Sequence, residues 1–148
     1  LFPFPYIHGG GDEAYKGFWE TCPKCQKLMA DEHLKNVDEL QSYFVKRVEK
    51  IVESKGKKMI GWDEILEGGL APNATVMSWR GMSGGIAAAK MGHHVVMTPW
   101  DYCYLDLYQG EPEGEPPTYG LCRLSDSYNY EPVPDSVDPK YILGGQGN

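Results

Sequence analysis

Positive charge is scarce in this chain. Its 148 residues carry 14 lysines and arginines against 21 aspartates and glutamates, a formal net charge of -7, and no basic run exceeds Lys57-Lys58. Polyanions are held by clustered lysine and arginine, so this balance argues against nucleic acid as a partner. Long apolar runs are missing too: nothing approaches the roughly 20 residues needed to cross a bilayer, and no membrane span is expected. Cysteine is sparse. Cys22-Pro23-Lys24-Cys25 has the two-residue gap of a zinc knuckle or redox pair, but a zinc site calls for a second pair at matching spacing, which Cys103 and Cys122 do not supply. Free thiols with a local structural role are expected, and no metal. The chain opens Leu1-Phe2-Pro3-Phe4-Pro5, with neither an initiator methionine nor a basic segment followed by an apolar one. It reads as a piece of a longer protein, silent about targeting.

What is present suffices for one domain over residues 1–148, since 41% of the residues are hydrophobic and aromatics are plentiful. The stretch Tyr6-Ile7-His8-Gly9-Gly10-Gly11-Asp12-Glu13 reads as a short strand that ends in two adjacent acids, with glycines permitting a sharp turn where they are delivered. Acid-base chemistry uses such pairs, and a solvated turn with two surface acids is the plainer alternative. One short helix is expected around Leu28, Met29 and Leu34. A clearer one follows, in which Val37, Leu40, Phe44, Val48, Ile51 and Val52 recur at gaps of three and four. Asn36 is placed to cap its start and Gly56 its end. Lys46, Arg47, Glu49, Lys50 and Glu53 fall between the apolar positions and predict a solvated face.

Further strands are predicted at 57–62, 75–79, 94–98 and 141–145, with an alanine-rich helix from Gly84 to Met91 closed by Gly92. From Pro99 to Pro139 the chain reads as long and irregular, and a loop of that length within a compact domain is usually functional. Strands alternating with helices predict right-handed βαβ units and a parallel sheet. The distinctive residues close the strands: Asp12 and Glu13, Trp62, Trp79, then Tyr104 and Asp106. In a parallel barrel those ends form one rim, where catalytic groups gather. Trp62 and Trp79 each close an apolar strand next to a charged residue, Asp63 or Arg80, as aromatic platforms for a sugar ring would. For Trp19 and Trp100 core packing is expected.

Five stretches in order carry a resemblance. His8-Gly9-Gly10-Gly11-Asp12-Glu13 resembles the His-x-Gly-Gly-Asp-Glu signature of glycoside hydrolase family 20, the β-N-acetylhexosaminidases. Gly61-Trp62-Asp63-Glu64-Ile65, Ser78-Trp79-Arg80-Gly81 and Tyr104-Leu105-Asp106, with the terminal Leu143-Gly144-Gly145-Gln146-Gly147-Asn148, continue it over nearly the whole chain. The resemblance implies a (β/α)8 TIM barrel, an α/β fold of which this chain would be a partial catalytic domain from strand 4 to the start of strand 8. The missing strands would come from the parent chain or be replaced by self-association, because a barrel needs a closed hydrogen-bond circuit. Gly9 stands where the family usually has a branched apolar residue.

The resemblance also implies roles. In this family the substrate supplies the nucleophile: its 2-acetamido oxygen attacks the anomeric carbon, giving an oxazolinium intermediate and net retention. Glu13 would be the general acid and then base. Asp12 would hold the acetamido N–H, and Tyr104 would donate to the acetamido oxygen. Trp62 and Trp79 would wall the acetyl pocket, Asp106 would bind a sugar hydroxyl, and His8 would support the acids by hydrogen bonding. Asp63-Glu64 is a second acid pair that residue types alone do not distinguish from Asp12-Glu13; the resemblance makes it supporting or loop residues. The implied substrate is a glycan or small glycoside ending in β-linked N-acetylglucosamine or N-acetylgalactosamine, handled without metal or organic cofactor. An extracytoplasmic setting, periplasmic or secreted, follows from the resemblance alone. The alternative is a catalytically incomplete sugar-binding fragment of such an enzyme.

Overall fold

Residues 3–148 are described by a computed structural model. They form two compact units that meet in sequence at Thr75 and Val76, and each is taken in turn.

In the first unit, β1 (Tyr6–His8) pairs in parallel with β2 (Lys58–Trp62), in the register Tyr6 to Lys58, Ile7 to Met59 and His8 to Ile60. The pairing does not stop with β1. Gly9 N–H donates to Ile60 O at 2.8 Å, and Trp62 N–H donates to Gly10 O at 3.0 Å, so the glycine run is bonded to the end of β2. Gly61 lies so close that a Cβ there would stand 2.9 Å from Gly10 O and 3.0 Å from Ile65 Cγ2. At Gly9 the volume of a branched side chain is already taken, since a Cβ would meet Met59 Cε at 2.5 Å.

Three helices connect the two strands. Where one short helix was expected there are two, α1 (Gly17–Thr21) and α2 (Pro23–Asp31). Pro23 is the cause: its ring disfavours helical geometry in the residue before it, and Cys22 is extended at φ -78, ψ 117. Helix α3 (Val37–Glu53) begins as predicted, with Asn36 Oδ1 accepting from Glu39 N–H at 2.9 Å.

The buried face of α3 is rotated from the one predicted. Leu40, Gln41, Ser42, Val45, Glu49 and Val52 are buried, whereas Phe44 and Ile51 are 63% and 61% exposed. Glu49, expected on the solvated face, is 2% exposed, and its carboxylate accepts from Asn73 N–H at 2.9 Å. A carboxylate accepts such an N–H more strongly than a neutral group would. The other apolar side of α3 borders an open groove of about 520 Å³ lined by Trp19, Leu28, Phe44, Val48 and Ile51. Trp19 is therefore half-buried in a groove wall rather than packed in a core.

In the second unit, β3 (Thr75–Ser78), β4 (Val95–Met97) and β5 (Ile142–Gly145) run parallel, β4 lying between the other two. Helix α4 (Ser83–Lys90) packs Gly85 directly against Met97 and Val95, and Ser78 Oγ accepts from Gly85 N–H at 2.8 Å. The long segment after β4 is more ordered than predicted. It holds α5 (Trp100–Cys103), α6 (Leu124–Tyr128) and two three-ten turns, Pro112–Gly114 and Pro139–Tyr141. Tyr108 and Leu121 form a parallel bridge, and Glu115 accepts from the N–H groups of Gln109 and Gly110 at 2.8 and 2.6 Å. Leu107, Cys122 and Val137 give this segment a small core of its own. Trp100 does not join a core; it is 39% exposed.

The closeness of Gly61 to the glycine run sets an expectation. Gly61→Ala should destabilise the full-length protein by about 1–3 kcal/mol, the usual range for overpacking, read as a lowered denaturation midpoint. An unchanged midpoint would show that the glycine run yields freely.

Candidate active site

Past β1 the glycine run turns with φ +70 at Gly10 and +109 at Gly11. A side chain at Gly11 would also collide with Ile65, 2.8 Å away. The turn delivers Asp12 and Glu13 side by side, both exposed. Glu13 itself lies at φ +48. For a residue with a Cβ this left-handed geometry costs of the order of 1–3 kcal/mol, and it persists only where surrounding contacts hold it. Part of that hold is visible: Glu13 N–H is directed at Glu64 Oε1, 3.4 Å away.

Beneath the acids lies a three-ten turn, Asp63–Leu66, in which Asp63, Glu64 and Ile65 are buried at 3%, 6% and 1% exposure. Gln41 of α3 donates its side-chain N–H to Glu64 O at 2.8 Å, anchoring the turn to the helix. The second acid pair is thus a buried support whose carboxylate addresses the backbone of the first, not a pair of solvated loop residues.

Three residues after Glu13, Lys16 closes the loop. Its side chain is 17% exposed, and its ammonium bonds Asp38 at the start of α3 at 2.6 Å and Glu67 just after the three-ten turn. Burial pulls the Lys16 ammonium down, but its hydrogen bonds to Asp38 and Glu67 outweigh this and hold it above the usual lysine range. One part-buried cation therefore ties together the acid loop, a helix start and the supporting turn. Sequence reasoning missed this residue; its only signal was a lysine three positions after an acid pair.

His8 was expected to be a buried hydrogen-bonding support for the acids. It is exposed instead, and its Nδ1 accepts from Gly10 N–H at 3.0 Å, so it supports the turn rather than the carboxylates. Its ring leans on Trp62, with centroids 4.9 Å apart at 60°. Trp62 is half-buried at the end of β2, at the boundary its position predicted.

In the second unit, Trp79 follows β3 directly and stacks on Tyr104, with centroids 6.4 Å apart and planes 28° from parallel. The stack has a backbone scaffold. Trp100 N–H donates to Trp79 O at 2.9 Å, α5 makes one turn, and Tyr104 N–H donates to Trp100 O at 3.3 Å. Both rings are half-buried, and Asp106 is exposed two residues on. The first unit thus gathers His8, Asp12, Glu13 and Trp62, and the second gathers Trp79, Tyr104 and Asp106. Among the described residues, no group of three or more histidine, cysteine, aspartate or glutamate side chains is placed to hold a metal ion.

Parallel strands joined through helices, with acids and aromatics following the strands, make this an α/β chain with the architecture of part of a TIM barrel. The chain belongs to glycosyl hydrolase family 20: the family model of its catalytic domain matches residues 1–148. A Beta-hexosaminidase of Porphyromonas gingivalis is 54% identical over 153 residues, covering 100% of this chain and 20% of that protein. A Beta-hexosaminidase of Vibrio furnissii is 39% identical, covering 99% of this chain and 25% of that protein. Among solved structures, the GH20 exo β-N-acetylglucosaminidase from Vibrio harveyi in complex with N-acetylglucosamine superposes with a TM-score of 0.80 at 33% identity, over 99% of this chain and 24% of that one. This chain spans about a fifth to a quarter of the length of the curated relatives it matches.

Although His8 is exposed as a whole, desolvation on the side of its ring that faces the protein lowers its pKa, and the charge of Asp12 opposes this less strongly. A depressed folded value means that the contribution to stability is complete above the unfolded value, near 6.5, and is lost as pH falls through the folded one. Nuclear magnetic resonance titration should place His8 below the ordinary histidine range, and Gly10 amide exchange should quicken as the ring protonates. A midpoint at or above the ordinary value would contradict the neutral acceptor.

Proposed function

We propose that this chain carries the acid-base and acetamido-binding groups of a glycoside hydrolase. That enzyme would remove terminal, non-reducing β-linked N-acetylglucosamine or N-acetylgalactosamine with substrate-assisted retention. Glu13 gives its proton to the glycosidic oxygen while the acetamido oxygen of the sugar attacks the anomeric carbon and the glycosidic bond breaks. Asp12 accepts from the acetamido N–H and stabilises the positive charge that develops on the oxazolinium. Tyr104 donates its hydroxyl to the acetamido oxygen and aims it. Glu13, now a carboxylate, takes a proton from water as that water opens the ring, restoring the starting configuration. Trp62 and Trp79 wall the acetyl group, whose lost rotation favours attack. Asp106 binds a sugar hydroxyl, and His8 steadies the turn that presents the acids. The setting would be extracytoplasmic.

The observation that carries this reading is the acid loop itself: an exposed glutamate in left-handed geometry, beside a second acid, with its backbone addressed by a buried carboxylate. Strain kept at a carboxylate, rather than relieved by glycine, favours a positioned acid over a surface turn. The family and the N-acetylglucosamine complex of the Vibrio harveyi enzyme support the substrate class.

In the full-length protein, Glu13→Gln should slow hydrolysis of an N-acetylglucosamine disaccharide by about 100- to 10,000-fold, the usual contribution of general acid-base catalysis. Cleavage of an aryl glycoside with a good leaving group should suffer less in its first step, because such a group needs little protonation. Wild-type turnover of the disaccharide by the variant would remove Glu13 from this role. A thiazoline analogue of the oxazolinium should inhibit competitively, and failure to do so would count against substrate assistance.

A further inference from the structure

Nothing in the acid-loop chemistry uses the dithiol Cys22-Pro23-Lys24-Cys25. Helix α1 ends and α2 begins at Cys22, which is extended, and Pro23 takes the first position of the nine-residue α2. Cys25 follows three residues after Cys22, and Gln26 N–H donates to Cys22 O at 2.9 Å, so the first turn of α2 folds the chain from one cysteine back over the other. The N–H groups of Lys24 and Cys25 are among the donors a helix start leaves unbonded, and no side-chain cap takes them at Cys22.

The two thiols are made unlike by this arrangement. The Cys25 N–H foremost, then the Cys25 thiol and the Lys24 N–H, pull Cys22 below the usual cysteine range. Its hydrogen bond to Cys22 holds Cys25 above that range. Both side chains are partly exposed and unbridged, whereas Cys103 and Cys122 are buried, and burial pushes the Cys103 thiol up to about 11.

We propose that Cys22 and Cys25 form a thiol-disulfide exchange site, with Cys22 as the attacking and Cys25 as the resolving residue, whose substrate is a small dialkyl disulfide. The Cys22 thiolate attacks one sulfur of the disulfide, whose S–S bond breaks, and one thiolate leaves and takes a proton from solvent. Cys25 then loses its proton and attacks the Cys22 sulfur, so that the mixed disulfide breaks and the second thiol departs. The substrate is reduced to two thiols as the protein pair is oxidised to the Cys22–Cys25 disulfide, and two electrons pass. Proximity makes the second step intramolecular, so the mixed disulfide does not accumulate.

The reduced full chain would be incubated with oxidised glutathione, quenched by alkylation and read by intact and peptide mass. The wild type should lose two thiols to a Cys22–Cys25 disulfide and retain no glutathione, with Cys103 and Cys122 still reduced as internal references. Cys25→Ser should retain one glutathione on Cys22, and Cys22→Ser should react severalfold more slowly at Cys25. In the wild type, alkylation of Cys22 should titrate below the ordinary cysteine value near 8.5. Glutathione retained on wild-type Cys22, equal rates for the two variants, or no reaction of the folded protein where the denatured chain reacts would each overturn the proposal.

Discussion

The first unit depends on a backbone pairing that outlasts its strand. Once β1 ends, two more hydrogen bonds, Gly9 N–H to Ile60 O and Trp62 N–H to Gly10 O, keep the glycine run attached to β2. Everything that follows is placed from there. The chain turns over Ile65 with no room for a side chain at Gly11, and Asp12 and Glu13 emerge above a buried three-ten turn. Lys16 then returns the chain to α3 and to that turn. A loop would ordinarily be the least certain part of such a site; here it is an extension of the sheet.

Much of this was legible because periodicity and punctuation are local. Asn36 capping α3, the strand entering Trp62 and the alanine-rich helix before Gly92 follow from spacing and from residues that start or stop elements. The acids were legible as a pair, and the family signature separated their roles. What was not legible depends on partners distant in sequence. Glu49 reads as a solvated charge until folding buries it against Asn73 N–H, twenty-four residues on. Lys16 and Glu64 are ordinary charges on paper, and only folding sets one between Asp38 and Glu67 and the other beneath Glu13. His8 differs from expectation in burial and in partner: it is exposed, and its imidazole nitrogen, which can donate or accept, takes a backbone N–H two residues away.

The second unit shows the same economy with other materials. Its aromatic pair is aligned by main-chain hydrogen bonds, which begin at Trp79 O, pass through one turn of α5 and end at Tyr104 N–H. The segment after β4 could then vary around Trp79 and Tyr104 while the spacing between them remained set by one helical turn.

The methionine beneath Gly9 has a further consequence. A branched side chain at position 9 would wedge the acid loop against β2 with stiff, staggered surfaces. Met59 instead fills that space from the other strand with an unbranched thioether. Such a side chain readjusts its torsions at little cost. The backbone bonds decide where the acid loop sits, and the side chain packed beside it is of the most adaptable apolar kind. A small shift of the loop would then be taken up in the packing and leave the hydrogen bonds intact.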